Sequence, residues 1–216
     1  MKEVSVAQAA AHLDVSEHEI RRRLSVGALR GEKLSGVWLV DPTSLGAVSK
    51  RRGRPLSRDS AWDLALLLDG DALESVGPVR RHRARQRGEA LRDQTAPLPL
   101  VRAWMANRAD VHRLTAFDPS RVLDDRRVYP SGVSDPRSFM FAAGVADGYV
   151  RAEDVDAVIR DLILAPAVEE ANVVLRVVEE LPPEIPWLMV VADLADGGPR
   201  EAQQAEALMQ KELRDG

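Results

Sequence analysis

Apolar positions at the start of the chain recur at helical spacing and predict a short first helix behind Ser5, whose side chain can cap it. These positions are Val6, Ala9, Ala10 and Leu13. A second helix is predicted from residues 16–19, Ser-Glu-His-Glu, because a serine followed three residues later by glutamate forms a capping box. Ile20 and Leu24 then share one face of this helix, which leaves its charged side chains outside.

Gly27 is a typical helix end, and the apolar pattern changes after it. Residues 28–34 and 37–40 are rich in strand-forming side chains, and the Ser-Gly dipeptide between them favours a tight turn. The pattern therefore predicts two helices followed by a β-hairpin that contains Trp38. This is the element order of a winged helix-turn-helix, and residues 1–48 are predicted to form such a domain.

In the rest of the chain, some segments have apolar residues at helical spacing and others have the pattern of β-strands. Helical spacing occurs at residues 60–73, 80–91, 100–105, 153–164 and 199–213, and strand patterns occur at 110–116, 127–132 and 171–178. The apolar run 187–192 fits either a central strand or the front of a helix that continues to Ala195. Residues 96–216 are predicted to form a mixed α+β domain with four or five strands, and the chain as a whole belongs to the α+β class.

Charge divides the chain into a basic front and an acidic back. Residues 1–95 contain 17 Lys+Arg against 13 Asp+Glu, and residues 96–216 contain 13 against 21, so their net charges are +4 and −8. A basic half is suited to polyanions such as nucleic acid, whereas an acidic half is not. The formal net charge of −4 for the whole chain conceals this difference.

Residues 49–58 are predicted to be a basic linker, because they combine five cations with a glycine and a proline and have almost nothing to bury. The cations are Lys50, Arg51, Arg52, Arg54 and Arg58. The tripeptide Gly-Arg-Pro at 53–55 resembles an AT-hook, in which an extended backbone enters the minor groove of A·T-rich DNA. A solvated hinge is the alternative interpretation.

Residues 59–95 are predicted to form a helical connector that carries a second basic patch. Its members are Arg80, Arg81, Arg83, Arg85 and Arg87. Five arginines in eight positions would be distributed around most of the circumference of a helix. Three interpretations stay open: phosphate binding, docking against an acidic protein surface in this chain or in a toxin, and a helix that is only solvated.

The second predicted helix carries the candidate DNA-binding face. Arginines on a helix in the major groove donate to guanine edges or phosphates, and polar groups near the helix start contact bases or backbone. The candidate residues are Ser16, Glu17, His18, Arg21, Arg22 and Arg23. On the hairpin, Arg30 and Lys33 are expected to bind phosphates at the edge of the groove.

The front of the chain resembles the DNA-binding domain of the excisionase and MerR-like group. The resemblance is carried by Val15-Ser16, Ile20-Arg21-Arg22, Gly27-Ala28-Leu29 and Val37-Trp38-Leu39-Val40. It covers about a fifth of the chain and implies a winged helix-turn-helix that binds double-stranded DNA.

The back of the chain is similar to AbiEi-type antitoxins. The matching segments are residues 111–114, 128–132, 171–176, 191–194 and 198–201, together with Gly-Arg-Pro-Leu-Ser at 53–57. This resemblance implies a DNA-binding antitoxin that represses its own operon and counteracts a nucleotidyltransferase-like toxin. One departure is that the winged helix of those antitoxins is not of the excisionase type.

No catalytic residue, metal site or cofactor is predicted, and the chain is not expected to be an enzyme. None of the four histidines has metal-ligand spacing to another, and the lack of cysteine excludes disulfides and thiolate metal sites. Ser-Gly at 131–132 and Asp-Val-Asp at 154–156 imitate a nucleotidyltransferase motif in the wrong order and spacing. Asp193 and Asp196 beside two glycines fit either a cation site or a helix end.

The first residues show no charged leader followed by a long apolar run, and no stretch reaches the ~18 apolar residues of a membrane helix. We therefore expect a cytoplasmic protein without membrane contact.

The function expected from these patterns is a DNA-binding transcriptional repressor that acts as the antitoxin of a toxin-antitoxin operon. Its expected partners are operator DNA, a cognate toxin and a second copy of the chain, because winged domains commonly occupy paired half-sites. The alternative is a stand-alone winged-helix regulator, or an excisionase-like architectural DNA-binding protein, with a C-terminal protein-interaction domain.

Overall fold

The computed structural model of the protein describes residues 4–13, 16–25, 29–34, 37–41, 54–140, 143–168 and 170–215. The chain divides into two compact units, Met1–Arg52 and Gly53–Gly216. Helices and strands occur in both units, so the predicted α+β class is confirmed.

The first unit contains two helices and a small antiparallel sheet. In chain order its described elements are β1 (Val4–Ser5), α1 (Val6–Leu13), α2 (Glu17–Ser25), β2 (Gly31–Leu34) and β3 (Val37–Val40). The strand order is β1-β3-β2, and Lys33 lies opposite Trp38 in the β2–β3 pair. The two predicted helices and the hairpin that follows them are confirmed as elements. Their interpretation as a winged helix-turn-helix stays a prediction.

The start of α1 is closed by a reciprocal pair of hydrogen bonds. The Gln8 amide donates to Ser5 Oγ at 3.2 Å, and the Ser5 amide donates to Gln8 Oε1 at 2.9 Å. These two bonds satisfy amides that have no partner inside the helix. The predicted Ser5 cap is confirmed, and the buried side chains of Ala9, Ile20 and Leu24 form the core of the unit as their spacing indicates.

The second unit is built on a mixed five-stranded sheet. Its described helices are α3 (Arg58–Leu68), α4 (Pro78–Arg92), α5 (Leu98–Trp104), α6 (Ser120–Leu123), α7 (Val155–Asp161), α8 (Trp187–Ala195) and α9 (Pro199–Asp215). Its strands are β4 (Asp110–Thr115), β5 (Tyr129–Pro130), β6 (Ala146–Arg151), β7 (Ala165–Pro166) and β8 (Val173–Val178). The order is β5-β6-β8-β4-β7, in which β6 and β8 are parallel and the other neighbours are antiparallel.

The two faces of this sheet belong to different cores, because side chains alternate along a strand. Val173, Leu175 and Val177 of β8 pack in one core with α7, whereas Val178 and Tyr149 pack in the other with α8. Every residue of α8 is buried, as expected for a helix that is apolar on all sides. The apolar run from residue 187, which the sequence left open between strand and helix, is therefore a buried helix.

The boundaries inside the basic region differ from the sequence prediction. Within the segment predicted as a linker, α3 begins at Arg58 behind Ser57, whose Oγ accepts from the Ser60 amide at 3.3 Å. Residues 59–95, predicted as a connector, belong to the second unit because the apolar faces of α3 and α4 share a core with α8. Residues 42–48, the end of the predicted winged domain, lie outside the described residues.

Candidate nucleic-acid interface

The outer face of α2 is polar and solvent-exposed. Ser16, Glu17, His18, Arg21 and Arg22 are all exposed, while Ile20 and Leu24 on the opposite face are buried. The structure thus brings together five of the six candidate residues of the second predicted helix. The side chain of Arg23 lies outside the described set.

Arg21 and Glu17 form an ion pair along this face. Arg21 Nη2 donates to Glu17 Oε2 at 2.6 Å, and their side chains are 54% and 48% exposed. An exposed pair of this kind at i, i+4 stabilises a helix by only about 0.3–0.5 kcal/mol. The Arg21 guanidinium can therefore exchange Glu17 for a phosphate or a base at little cost.

The hairpin adds two exposed cations to the unit. Arg30 and Lys33 are exposed, and Trp38 on β3 is half-buried against the core of the unit. The predicted location of the tryptophan in the hairpin is confirmed.

The linker cations have different locations. Arg54 is exposed and lines a shallow groove with Pro55, Leu56 and Asn107. Arg58, predicted to contact DNA, starts α3 and binds Asp110 at 2.8 Å through Nη2. Lys50, Arg51 and Arg52 lie outside the described residues.

The arginines of α4 differ in their contacts within the protein. Arg80 holds the buried carboxylate of Asp63 through two hydrogen bonds, Nε to Oδ2 at 2.8 Å and Nη2 to Oδ1 at 2.9 Å. Asp63 raises the pKa of Arg80 through this bond. Arg81 donates to the Val76 carbonyl at 3.2 Å.

The remaining three members of the predicted patch differ in exposure. Arg83 and Arg85 are exposed on α4, whereas Arg87 is half-buried. Arg80 therefore has a structural contact that phosphate binding would have to break, and Arg83 and Arg85 are the members whose exposure suits a contact with an outside partner.

A buried charged cluster, which the sequence patterns did not predict, lies between the sheet and α8. Its members are Arg108, Ser131, Asp147, Tyr149, Arg176 and Asp193. Asp193 of α8 is the centre: its Oδ1 accepts from Arg108 Nε at 2.7 Å and from the Tyr149 hydroxyl at 3.2 Å, and its Oδ2 accepts from Ser131 Oγ at 2.5 Å. Arg176 Nε lies 2.8 Å from the same Oδ1.

The strand register explains why these groups meet. Tyr149 of β6 lies opposite Arg176 of β8, and Asp147 lies two residues away on the same face. Arg176 Nη1 donates to Asp147 Oδ1, and Arg108 Nη2 donates to Asp196 Oδ2 at 2.6 Å. Two buried arginines thus face two buried carboxylates, Asp147 and Asp193, and the half-exposed Asp196, so the buried charge is compensated.

Burial shifts the protonation equilibria in this cluster. Burial raises the pKa of Asp147 to about 7, because the lowering by Arg176 is smaller and Asp193 adds repulsion. Burial opposes the charge of Arg108, yet Asp193, Tyr149 and Asp196 together raise its pKa well above the ordinary value. Burial also raises the pKa of Tyr149, so its hydroxyl stays protonated and can donate.

The shift at Asp147 has a measurable consequence for stability. Because the folded pKa lies above the unfolded value of about 3.9, folding favours the protonated carboxyl, and this contribution is full below pH ~4 and is lost as pH rises to about 7. Relative to Asp147→Asn, the wild type should lose on the order of 1 kcal/mol of unfolding free energy per pH unit across this window. Urea unfolding of both proteins from pH 5 to pH 8 measures this; a constant difference would contradict the assignment.

One sequence signal could have located the cluster. Arg176 interrupts the apolar strand Val-Val-Leu-Arg-Val-Val, and Asp193 interrupts an equally apolar helix. A charged residue at a buried position requires an opposite charge nearby, so each indicates that a buried partner exists without identifying it. Asp193 and Asp196, considered as a cation site, bind Arg108 instead.

The part of the chain that the structure describes has neither a metal-binding cluster nor a membrane-crossing helix. It contains no group of three histidine, cysteine or carboxylate side chains placed to hold a metal ion. None of its helices combines the length and the apolar character needed to cross a bilayer.

No family model, curated protein or solved structure matches the chain in the comparisons with known proteins.

Proposed function

We propose that the protein is a DNA-binding transcriptional repressor that uses the outer face of α2 in the major groove. The observation that carries this proposal is the exposure of Arg21, Arg22 and His18 on a helix whose opposite face is buried in a core with α1 and β3. A helix with polar and cationic groups outward and an apolar anchor inward suits insertion into a duplex. Lys33 and Arg30 on the hairpin would hold phosphates at the groove edge.

The proposed role of the second unit is to bind a basic protein. Residues 53–216 contain 21 Lys+Arg against 28 Asp+Glu, a net charge of −7. This charge disfavours nucleic acid over most of the unit and favours a cationic partner. Together with the resemblance to antitoxins, it supports a repressor that controls and counteracts a toxin encoded beside it.

The DNA-binding proposal is tested by titrating a labelled duplex from the region upstream of the gene with the full chain. Arg22→Ala should weaken binding by about 1–3 kcal/mol if its guanidinium is bidentate to a guanine, and should relax base choice at one position. The affinity of the wild type should fall steeply with salt, because each bound phosphate releases counterions.

Arg200→Ala, which removes an exposed arginine of the second unit, is the matched control and should bind as the wild type does. Retention of wild-type affinity by the Arg21→Ala, Arg22→Ala double variant would contradict the assignment of this face.

A further inference from the structure

Ile163 combines backbone strain with exposure. It has φ of +55°, a conformation that β-branched residues rarely adopt, and its side chain is 84% exposed. Leu73 shares the positive φ but is 2% exposed, so burial compensates its strain. At Ile163 the described chain provides no such burial.

The position of Ile163 in the chain explains the strain. The Leu164 amide donates to the Ile159 carbonyl at 2.9 Å, and the Ile163 amide donates to the Arg160 carbonyl at 3.3 Å. This pair of bonds ends α7 in a Schellman motif, whose left-handed position is usually glycine. An isoleucine here destabilises the turn relative to glycine, and its exposed side chain regains nothing within the unit.

Two other fully exposed apolar side chains follow the same edge of the sheet. Thr115 of β4 is paired with Ala165 of β7, and Phe117 lies two residues after Thr115 while Ile163 lies two residues before Ala165. Val168 lies two residues after Pro166, at the other end of β7. We call Phe117, Ile163 and Val168 the edge patch. Along this edge, Thr115, Pro166, Val168 and Glu170 line an open groove of about 770 Å³.

The backbone of this edge is also open. β7 pairs with β4 only at Leu114 and Thr115, so the outer side of β4 from Asp110 to His112 has no strand partner within the described residues. Unpaired strand edges readily add a further strand, and natural proteins usually cover or charge them. Here Asp110 and Arg113 place charges on β4 itself, and exposed apolar side chains flank its neighbour β7.

Charge favours a second copy of the chain as the occupant. Residues 53–216 carry a net charge of −7, yet each end of the edge patch has exposed side chains of both signs. Arg160 and Asp118 flank Ile163 and Phe117, and Arg113 and Glu170 lie near Val168. Two copies related by a two-fold axis can place like ends or unlike ends of the edge patch together. In both arrangements an arginine of one copy can face a carboxylate of the other, because each end has both.

The apolar area also suits a dimer. Three nearly fully exposed large side chains present on the order of 500 Å² per copy. Two copies would bury on the order of 1,000 Å², about the minimum of a specific interface, before backbone pairing is added.

We propose that two copies of this chain associate edge to edge through β4 and β7 and bury the edge patch across a two-fold axis. A dimer would also present two α2 helices to paired DNA half-sites, a consequence that rests on the proposed function. The association itself needs no DNA.

The test is sedimentation velocity of the full chain without DNA, from about 1 to about 100 μM. The wild type should show a monomer–dimer equilibrium, and Phe117→Ser and Ile163→Gly should each raise the dissociation constant at least tenfold. Val79→Ser, which removes an exposed apolar side chain of α4, should leave the constant unchanged.

Ile163→Gly also separates association from folding. Glycine relieves the positive φ, so the midpoint of thermal unfolding of the dilute monomer should equal or exceed that of the wild type. A wild type that stays monomeric at the highest concentration, or edge variants that dimerise as the wild type does, would overturn the proposal. Failure of the DNA-binding experiment would leave this result unaffected.

Discussion

Asp193→Ala is expected to destabilise the protein by about 3–5 kcal/mol, because it removes one partner of a buried ion pair. The carboxylate accepts from Arg108, Tyr149 and Ser131 and lies against Arg176. Without it, two guanidinium groups stay buried with one carboxylate fewer than they need. The loss is a large share of the roughly 5–15 kcal/mol that stabilises a typical domain.

Urea unfolding of the full chain, followed by far-UV circular dichroism, measures this loss. Asp196→Ala is the matched control: Asp196 also binds Arg108 at 2.6 Å, but its side chain is 50% exposed, so water can replace it. Removal of the Asp196 carboxylate should lower the unfolding free energy by no more than about 1 kcal/mol. If Asp193→Ala does not fold, the isosteric Asp193→Asn supplies the measurement; equal losses at positions 193 and 196 would argue against a buried centre.

Gly132→Ala is the second substitution with a large expected effect, about 3–5 kcal/mol of unfolding free energy. Gly132 has φ of +53°, where an alanine is strained by roughly 1–2 kcal/mol. A methyl group there would also overlap Asp147 Oδ2 and would approach Asp193 Cβ to 3.3 Å. Relief of the overlap would move Asp147 away from Arg176 and break that buried pair.

Gly144→Ala isolates the backbone contribution. Gly144 also has positive φ, at +80°, but no atom lies within 4 Å of an added Cβ. The Gly144→Ala variant should lose only the unfolding free energy that backbone strain costs, about 1–2 kcal/mol. A comparison of the two variants by the same urea titration separates strain from overlap, and equal losses would show that Asp147 is not displaced.

The local spacing of capping and apolar residues was sufficient to predict the helices and the hairpin of the first unit. Ser5, Ile20 and Leu24 have the contacts that their spacing predicts, because caps and helix faces depend on residues three or four positions apart. The apolar run from Trp187 was undecided for the same reason: a fully buried helix and a buried central strand have no polar face to reveal their period.

The buried charged cluster could not be predicted in this way. Arg108 and Asp193 are 85 residues apart in the chain, and Tyr149 reaches Asp193 across 44 residues. Pairings at such distances are set by strand order and helix packing, which a single sequence does not specify. Arg176 and Asp193 signal only that each needs some partner.

Composition also failed to separate the roles of neighbouring arginines. Arg80 and Arg83 are three residues apart on α4, yet Arg80 binds the buried carboxylate of Asp63 and Arg83 is exposed. The difference comes from which face of the helix packs on α3. A run of cations therefore predicts a charged helix but not which of its members can reach an outside partner.

The position of β8 in the sheet sets the order in which a newly made chain can fold. This strand lies in the middle of the five, between β6 and β4, although it is the last of them to leave the ribosome. Until residues 173–178 emerge, β4 has no central neighbour, and Arg108 has no carboxylate until Asp193 and Asp196 follow. Pairings of such high contact order form slowly, so the helix–hairpin unit at the front can fold during synthesis well before the acidic unit.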